Sequence, residues 1–307
     1  MEYRRLGRTD LKVSTVGVGT WQFGGEWGRD FNQDEVNAIL DTAKDVGINL
    51  IDTAECYGDH LSEKFIGQYL KDSNRDDWIL ATKFGHQFHN HFERTDYFDA
   101  KSVLNQLDQS LQALSTDYVD LYQFHSGSDE VFRNDELWTT LDKQRQAGKI
   151  RHLGISIGSN ENIFQVDLAS EYQADVIQVV YNRLETQPEA KVFPSCIEQD
   201  LGVLARVPLA SGYLSGKYKA NATFNEQDVR SRHEAENRKR ILHNVEDIKK
   251  QEVPTGMDMA QWALAWCLKH PAVTTVIPGC KNPEQVISNA KAASLDLGTG
   301  EHRQLLK

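Results

Sequence analysis

Four ionisable side chains in this chain follow short apolar runs and have the types needed to move a proton. They are Asp52, Tyr57, Lys83 and His125. The runs before them cover residues 49–51, 78–82 and 119–124 and have the length and composition of β-strands. In a barrel of alternating strands and helices, the carboxyl ends of the strands form the rim at which active sites are built. A carboxylate, a phenol, an amine and an imidazole at such a rim suit proton transfer to a carbonyl oxygen.

Proton transfer of this kind assigns a separate task to each group. A phenol with a pKa of about 10 is protonated at neutral pH and can donate, and a neighbouring Lys⁺ lowers that pKa by stabilising the phenolate. A carboxylate beside the lysine keeps it charged, and an imidazole can hold the carbonyl oxygen or share the proton. The spacing also permits a second interpretation, in which Lys83 and Asp52 form a structural ion pair and Tyr57 only packs.

The elements that must position these residues alternate along the chain. Strand-like runs begin near Val16, Asn49, Trp78, Val119, His152, Val176, Val203 and Thr274. Apolar residues at helical spacing cover residues 34–46, 100–114, 134–147 and 257–268. This alternation implies a parallel sheet, and eight units predict an α/β fold of the (β/α)8 TIM-barrel type, with residues 1–307 as a single domain. No GxGxxG motif follows an early strand, which weakens the alternative of an open dinucleotide-binding sheet.

Two segments stand outside the eight units. Residues 1–13 contain two strand-like pieces around a polar turn and predict a β-hairpin that closes the floor of the barrel. The connection after the seventh strand is long, and its middle, residues 225–252, is dense in charges of both signs. A long insertion at this place lies on the rim and can be a mobile lid over a ligand, or a solvated helix that closes nothing. The sequence leaves both interpretations of residues 217–252 open.

Composition limits the classes of partner. The chain has 307 residues and a formal net charge of −11, so it is a poor candidate for binding nucleic acid or an anionic membrane. An anionic ligand would need a local cluster of positive charge. No apolar stretch is long enough to span a membrane, and the charged N-terminus lacks a signal core, so we expect a cytoplasmic protein. The four cysteines form no CxxC pair and are expected to be free thiols; they are Cys56, Cys196, Cys267 and Cys280.

Several segments, in the same order and spacing, are similar to the motifs of one family. They are residues 6–9, 17–21, 51–58, 81–83, 121–125 and 276–289. Together they resemble the aldo-keto reductases over nearly the whole chain, and most of all the bacterial reductases tied to general stress or polyol use. The resemblance implies a barrel that binds a nicotinamide cofactor without a Rossmann fold and reduces aldehydes or ketones, or oxidises alcohols, by direct hydride transfer. It implies no metal.

The resemblance also implies roles for individual residues. Tyr57 would be the general acid, with its pKa lowered by Lys83 and Asp52, and His125 would orient the carbonyl. Ser156 and Gln178 stand where the family holds the nicotinamide amide. The asparagine that usually follows this serine is replaced by Ile157, so one amide contact is lost or is supplied by Asn182.

Position 206 departs from the family. Much of the family stacks an aromatic ring on the nicotinamide there, whereas this chain has Arg206. A planar guanidinium can also stack, and it would favour the neutral reduced ring over the oxidised cation. The alternative is that Arg206 turns to a carboxylate or a phosphate.

The remaining cofactor contacts follow from the resemblance as well. Leu209, Ser211 and Lys217 belong to a stretch rich in small residues that would hold the pyrophosphate. Gly279 and Lys281 open the last helix, and Lys281 would bind the 2′-phosphate, which favours NADPH/NADP⁺ while leaving NADH open. Gln285 and Asn289 would meet the adenine.

The sequence also suggests substrate contacts and alternative functions. Trp21 and Phe84 follow rim strands and are assigned to the substrate, a small carbonyl or alcohol compound. The histidines of residues 86–91 predict a polar active-site loop rather than a metal site. The main alternative function is a cofactor-binding regulatory subunit with slow turnover, like the barrel subunits of ion channels. Another barrel hydrolase or isomerase would need paired carboxylates or metal ligands, which the rim lacks. The short segment that ends at Lys307 predicts an open site, and the oligomeric state is left undetermined.

Overall fold

The computed structural model describes residues 1–219 and 222–297. The strands in this part of the chain are β1 (Tyr3–Arg5), β2 (Lys12–Ser14), β3 (Val18–Gly19), β4 (Leu50–Asp52), β5 (Ile79–Phe84), β6 (His86–Asn90), β7 (Glu93–Asp96), β8 (Val119–His125), β9 (Ile150–Ser156), β10 (Ala174–Val180), β11 (Gly202–Arg206) and β12 (Thr275–Val276). The helices are α1 (Gln33–Asp45), α2 (Leu61–Lys71), α3 (Ala100–Ala113), α4 (Asp129–Phe132), α5 (Asp135–Gln146), α6 (Ile163–Asp167), α7 (Val192–Glu198), α8 (Ala235–Gln251), α9 (Met259–Leu268) and α10 (Pro283–Ala290).

Eight of the strands form one parallel sheet that curls into a barrel. Their order is β12-β11-β10-β9-β8-β5-β4-β3. Parallel bridges from Val16 to Val276 and from Gly19 to Gly279 join the two ends of this order. The predicted (β/α)8 barrel is therefore confirmed, and each of its eight strands lies at or within a few residues of its expected start.

The helices form where the apolar spacing predicts them. Asn32 caps α1 with a reciprocal capping box through Glu35, and Asp99 caps α3 by accepting from the Ser102 amide. Both helices bury one apolar stripe against the sheet, whereas α9 is buried on nearly all sides. The four helices predicted from the sequence are confirmed, with their ends shifted by at most two residues.

The floor of the barrel is closed by the predicted hairpin, in which β1 and β2 pair antiparallel. Leu6 and Val13 from this hairpin join an apolar cluster with residues of five barrel strands and one residue directly after β12. Those residues are Leu50, Ala81, Leu121, Val176, Leu204 and Ile277. Because this end is filled with hydrocarbon, polar side chains inside the barrel lie at the opposite end, where the strands finish.

Three connections cover that opposite end. One is the 3₁₀ helix Trp21–Gly24 after β3, and another is the β6–β7 hairpin, which contains the histidine-rich segment. The third follows β11: its Val229 amide donates to the Glu26 carbonyl at 3.0 Å, and Arg232 lies over the ring of Phe92 at 4.1 Å. The segment after β11 therefore reaches both other connections, and whether it moves as a lid stays a prediction.

Some expectations fall partly or wholly outside the described residues. Residues 220–221 belong to the segment after β11, and residues 298–307 include the C-terminal stretch from which an open site is predicted. Within the described ranges, none of the helices combines the length and the apolar character needed to cross a bilayer.

Candidate active site

The four residues identified from the sequence meet at the rim, around the amine of Lys83. The Lys83 Nζ donates to Asp52 Oδ2 at 2.8 Å and to the Thr53 carbonyl at 2.7 Å, and it lies 3.4 Å from the Tyr57 Oη. Lys83 is fully buried, and Asp52 ends β4 directly beside it. His125 ends β8, and its ring centroid lies 6.5 Å from that of Tyr57.

The second oxygen of Asp52 is held by two amides from across the barrel. Gln178 Nε2 donates to Asp52 Oδ1 at 2.7 Å, and Gln123 Nε2 donates to the same oxygen at 3.1 Å. Gln123 was missed in the sequence, although it lies two residues before His125 and therefore on the same face of β8. Gln178 lines the central cavity as expected, but its amide nitrogen is used by Asp52.

Burial and charge set the protonation of this group. Burial alone would lower the pKa of Lys83, but the neighbouring Asp52 and Tyr57 outweigh it and the pKa is raised, so the amine stays charged. Burial raises the pKa of Tyr57 to about 12; Lys83 opposes this rise and Asp52 adds to it. The expectation that Lys83 and Asp52 together bring this pKa below its usual range is not met in the protein alone. The phenol is therefore held in its protonated, donating form.

His125 is a neutral imidazole at neutral pH. Burial, followed by the positive charges and the second imidazole around it, holds its pKa well below the usual range. Its Nδ1 lies 3.8 Å from the Cys56 Sγ, and burial keeps the pKa of that thiol well above its usual value. A thiol that donates to Nδ1 leaves the ring proton on Nε2, where it can be donated to a substrate.

Trp21, Glu26 and Arg94 border the same region as the catalytic residues. Of these three, the sequence analysis identified only Trp21. Trp21 stacks on Tyr57 with ring centroids 6.1 Å apart and an interplanar angle of 25°. Its indole nitrogen donates to the buried carboxylate of Glu26, which also pairs with Arg94 of β7. A Cβ added at Gly24 would lie 2.7 Å from the Tyr57 carbonyl carbon, so only glycine lets the Trp21–Gly24 helix approach the tyrosine so closely.

The assignment of Phe84 to the substrate is wrong in this structure. Phe84 is fully buried and packs among the rings of Tyr122, Phe98 and Phe124. Successive side chains of a strand point to opposite faces, so with Lys83 inside the barrel Phe84 must face the helices.

A cavity of about 580 Å³ joins these residues to most of the positions assigned to the cofactor. Its lining includes Gln178, Arg206, Leu209, Ser211, Lys217, Gly279, Lys281, Gln285 and Asn289. Ser156 does not line it directly; its buried Oγ has no hydrogen-bond partner among the described residues. Asn182 is excluded as a substitute contact because it is fully buried and its side-chain amide is already used. Its nitrogen donates to the Glu185 carboxylate and the Val207 carbonyl, and its oxygen accepts from the Leu184 and Glu185 amides.

One part of the cavity carries concentrated positive charge. Burial, followed by the charge of Arg230, lowers the pKa of Lys281, and Arg29 and Lys217 act in the same direction. Arg230 was missed in the sequence; it pairs with Asp228 at 2.6 Å and donates to the Tyr218 hydroxyl at 2.7 Å. Cations that repel one another in this way would be stabilised by an anionic ligand. In a chain of net charge −11, this is the local cluster that an anionic cofactor requires.

Arg206 lies in the cavity wall and its guanidinium is anchored by the backbone. Its Nη2 donates to the Ile157 carbonyl at 3.1 Å, and its buried Nε has no partner among the described residues. Stacking on a nicotinamide ring stays a prediction for this residue.

Three side chains with metal-ligating atoms lie together behind the rim. Ligating atoms of Glu55, Cys56 and His125 all lie within 4.8 Å of one another. Burial and the neighbouring Glu63 raise the pKa of Glu55 to about 7, and burial raises that of Cys56 further above its usual value. Both shifts favour the protonated forms of these two groups.

Comparison with known proteins agrees with the geometry. A sequence model of the aldo/keto reductase family matches residues 15–306. The chain is 30% identical to the aldo-keto reductase YhdN of Bacillus subtilis (strain 168), over 99% of this chain and 92% of that protein. It is also 30% identical to a probable voltage-gated potassium channel subunit beta of Oryza sativa subsp. japonica, over 95% and 91%. The holo form of the aldo-keto reductase AKR11C1 from Bacillus halodurans superposes with a TM-score of 0.83 at 29% identity, over 99% of this chain and 94% of that one.

Proposed function

The chain belongs to the aldo/keto reductase family, and from that premise we propose that it reduces aldehydes or ketones to alcohols with NADPH, using Tyr57 as the general acid. Its class, an NAD(P)H-dependent oxidoreductase of carbonyl and alcohol groups, follows from the family and its oxidoreductase relatives. The residue roles and the choice of NADPH are our proposal.

One observation carries the proposed mechanism. The Lys83 Nζ is hydrogen-bonded to the Asp52 carboxylate and lies 3.4 Å from the Tyr57 hydroxyl, at the wall of the cavity. A structural ion pair would need only the first of these contacts. The second places a fixed positive charge where a phenolate would form, which is the arrangement that proton donation by the phenol requires.

Each catalytic residue has its own task in the proposed reaction. The bound cofactor supplies a hydride to the carbonyl carbon. Tyr57 gives its proton to the carbonyl oxygen, which completes the alcohol and leaves a phenolate that solvent later reprotonates. Lys83 stabilises that phenolate, and Asp52, held by Gln123 and Gln178, keeps the lysine charged and in place. His125 donates from Nε2 to the same carbonyl oxygen and orients it.

The charges that line the cavity fit a phosphorylated dinucleotide such as NADPH. Lys281, Lys217 and Arg230 concentrate positive charge where the resemblance expects the phosphates, and Lys281 is assigned to the 2′-phosphate. The unpartnered Arg206 Nε belongs to a residue of the cavity wall and is a buried polar group that a nicotinamide end could satisfy. A contact of Ser156 with the nicotinamide stays a prediction. All four cysteines are free and buried, which supports work in the reducing cytoplasm.

Similarity to the rice protein, a probable channel subunit, supports a second candidate function: a cofactor-binding regulatory subunit with slow turnover. The experiment compares NADPH oxidation by the wild type, Tyr57→Phe and the control Tyr97→Phe, with an activated aromatic aldehyde at neutral pH. Tyr97 is an exposed tyrosine of the same barrel and lies outside the cavity lining. Loss of the general acid should lower kcat by at least ~10²-fold, and the control should match the wild type.

The other outcomes are equally informative. Tight NADPH binding by fluorescence without turnover would favour the regulatory function. Turnover that survives in Tyr57→Phe would remove the tyrosine from the mechanism.

A further inference from the structure

A second positive group borders the cavity, apart from the cluster around Lys281. Arg94 of β7 lines the cavity, and its charge acts on the Tyr57 phenol and on His125. The largest effects of charge on the pKa of Lys281 come instead from Arg230, Asp228, Arg29 and Lys217. Arg94 pairs with Glu26, which accepts from the indole of Trp21, and Trp21 stacks on Tyr57, so Arg94 belongs to the catalytic end of the cavity.

Not every nitrogen of the Arg94 guanidinium has a hydrogen-bond partner among the described residues. Its Nη2 pairs with Glu26, while its buried Nε has no partner among the described residues. Glu26 is fully buried, and burial raises the pKa of its carboxyl to about 7 although Arg94 opposes the rise. Glu26 is thus partly protonated at neutral pH while Arg94 stays charged, which leaves net positive charge beside the phenol.

We propose that Arg94 binds a carboxylate of the substrate, so that the preferred substrates are aldehydes and ketones that also carry a carboxylate. This inference rests on the proposed carbonyl reduction and narrows its substrate class. A guanidinium binds a carboxylate through charge-assisted hydrogen bonds. Arg94 lines the cavity with a side chain that is 23% exposed, and its Nε is unpaired among the described residues. The carbonyl at the other end of such a substrate would then face Tyr57 and His125.

The charges around Arg94 favour a single negative charge over a dianion. Glu26 pairs with the same guanidinium and would repel a phosphate dianion. Of the other cations in the cavity lining, Lys217, Arg230 and Lys281 are grouped together, and Arg206 is anchored to the Ile157 carbonyl. A carboxylate carries one charge and can share the guanidinium once Glu26 takes up a proton. The competing explanation is structural: the Glu26–Arg94 pair would only fasten the β6–β7 hairpin to the connection after β3.

A pair of substrates with the same ring separates the two explanations. We would measure kcat/KM with NADPH for para-formylbenzoate and for its methyl ester, in the wild type, Arg94→Met and Arg94→Lys. The ratio of acid to ester should fall by about 10- to 100-fold in Arg94→Met, as expected for the loss of a charge-assisted hydrogen bond, and mainly through KM. Arg94→Lys should recover part of the ratio. Arg232→Met is the control, because Arg232 is exposed, contacts the same hairpin through Phe92 and lies outside the cavity lining.

Glu26→Gln is an independent variant that keeps an acceptor for the Trp21 indole and removes the competing carboxylate. It should lower KM for the acid more than for the ester, and this result does not depend on how well Arg94→Met folds. The inference is overturned if the wild type does not prefer the acid, or if acid and ester fall together in Arg94→Met. Absence of turnover with either compound would instead refute the proposed function.

Discussion

Replacing Lys83 by methionine removes the charge on which the proposed mechanism depends and keeps most of the side-chain volume. In the wild type the amine lies 3.4 Å from the Tyr57 hydroxyl. At that distance, and with an effective dielectric constant of about 20, its attraction for a phenolate is about 5 kcal/mol. We therefore expect Lys83→Met to lower kcat/KM by about 10³- to 10⁴-fold with an activated aldehyde.

The same substitution also tests the role of Asp52. Without Lys83, the side-chain amides of Gln123 and Gln178 are the partners left to this carboxylate in the described part of the chain, where it is 3% exposed. Leaving a buried charge without its counter-ion costs about 3–5 kcal/mol of unfolding free energy, which urea denaturation measures. Adding Asp52→Asn should restore much of that stability, because the uncompensated charge disappears, and should not restore the rate.

The double variant thus separates folding from chemistry. Both variants would be checked for NADPH binding by fluorescence, so that a slow rate is not mistaken for an empty cavity. A folded, cofactor-binding Lys83→Met protein whose rate lies within about tenfold of the wild type would refute the argument that the amine stabilises a phenolate.

Three further predictions use the same structure. Glu55, whose pKa burial and Glu63 raise to about 7, holds its proton more tightly in the native state than in the unfolded chain. The free energy of unfolding should therefore fall as the pH rises from about 4.5 to about 7. Glu55→Gln should lose this dependence, and at pH 8 its free energy of unfolding should exceed that of the wild type by up to about 3 kcal/mol. Urea denaturation that shows the same pH dependence in both proteins would contradict this. Lys281→Met should weaken NADPH at least tenfold more than NADH in fluorescence titrations, and equal losses would remove Lys281 from the 2′-phosphate. Arg206→Tyr should change the ratio of the NADP⁺ and NADPH dissociation constants, and an unchanged ratio would refute stacking by Arg206.

The order of elements and the four rim residues were accessible from the sequence because both leave a local signal. Lys83 and His125 each interrupt an apolar run at the end of a strand, and that run marks where the strand lies. The expected starts near Trp78 and Val119 correspond to β5 from Ile79 and β8 from Val119. A strand's place in a βα alternation also determines which of its ends faces the rim, so the meeting of these residues could be anticipated.

Contacts between distant segments left no such signal. Gln123 is recognisable as a polar residue in an apolar strand, but its partner Asp52 lies 71 positions away. Arg94 belongs to a hairpin that looked like a polar loop, and only the folded chain brings it to Glu26, 68 positions earlier. Phe84 shows the opposite error. Its position next to Lys83 suggested that it lines the substrate pocket, but neighbouring side chains of a strand point to opposite faces, so Phe84 lies in the core.

The sequence by itself determined the barrel, its hairpin floor and the four candidate catalytic residues, since these follow from periodicity and from residue types at strand ends. Only the tertiary structure decided how those residues are protonated and what surrounds them. Tyr57 has a pKa of about 12 because burial outweighs the lysine beside it, and burial is a property of the closed barrel as a whole. The second cationic group at Arg94 likewise arises only where three connections, remote in the chain, come together over the rim, because charge and desolvation act through space and not along the sequence.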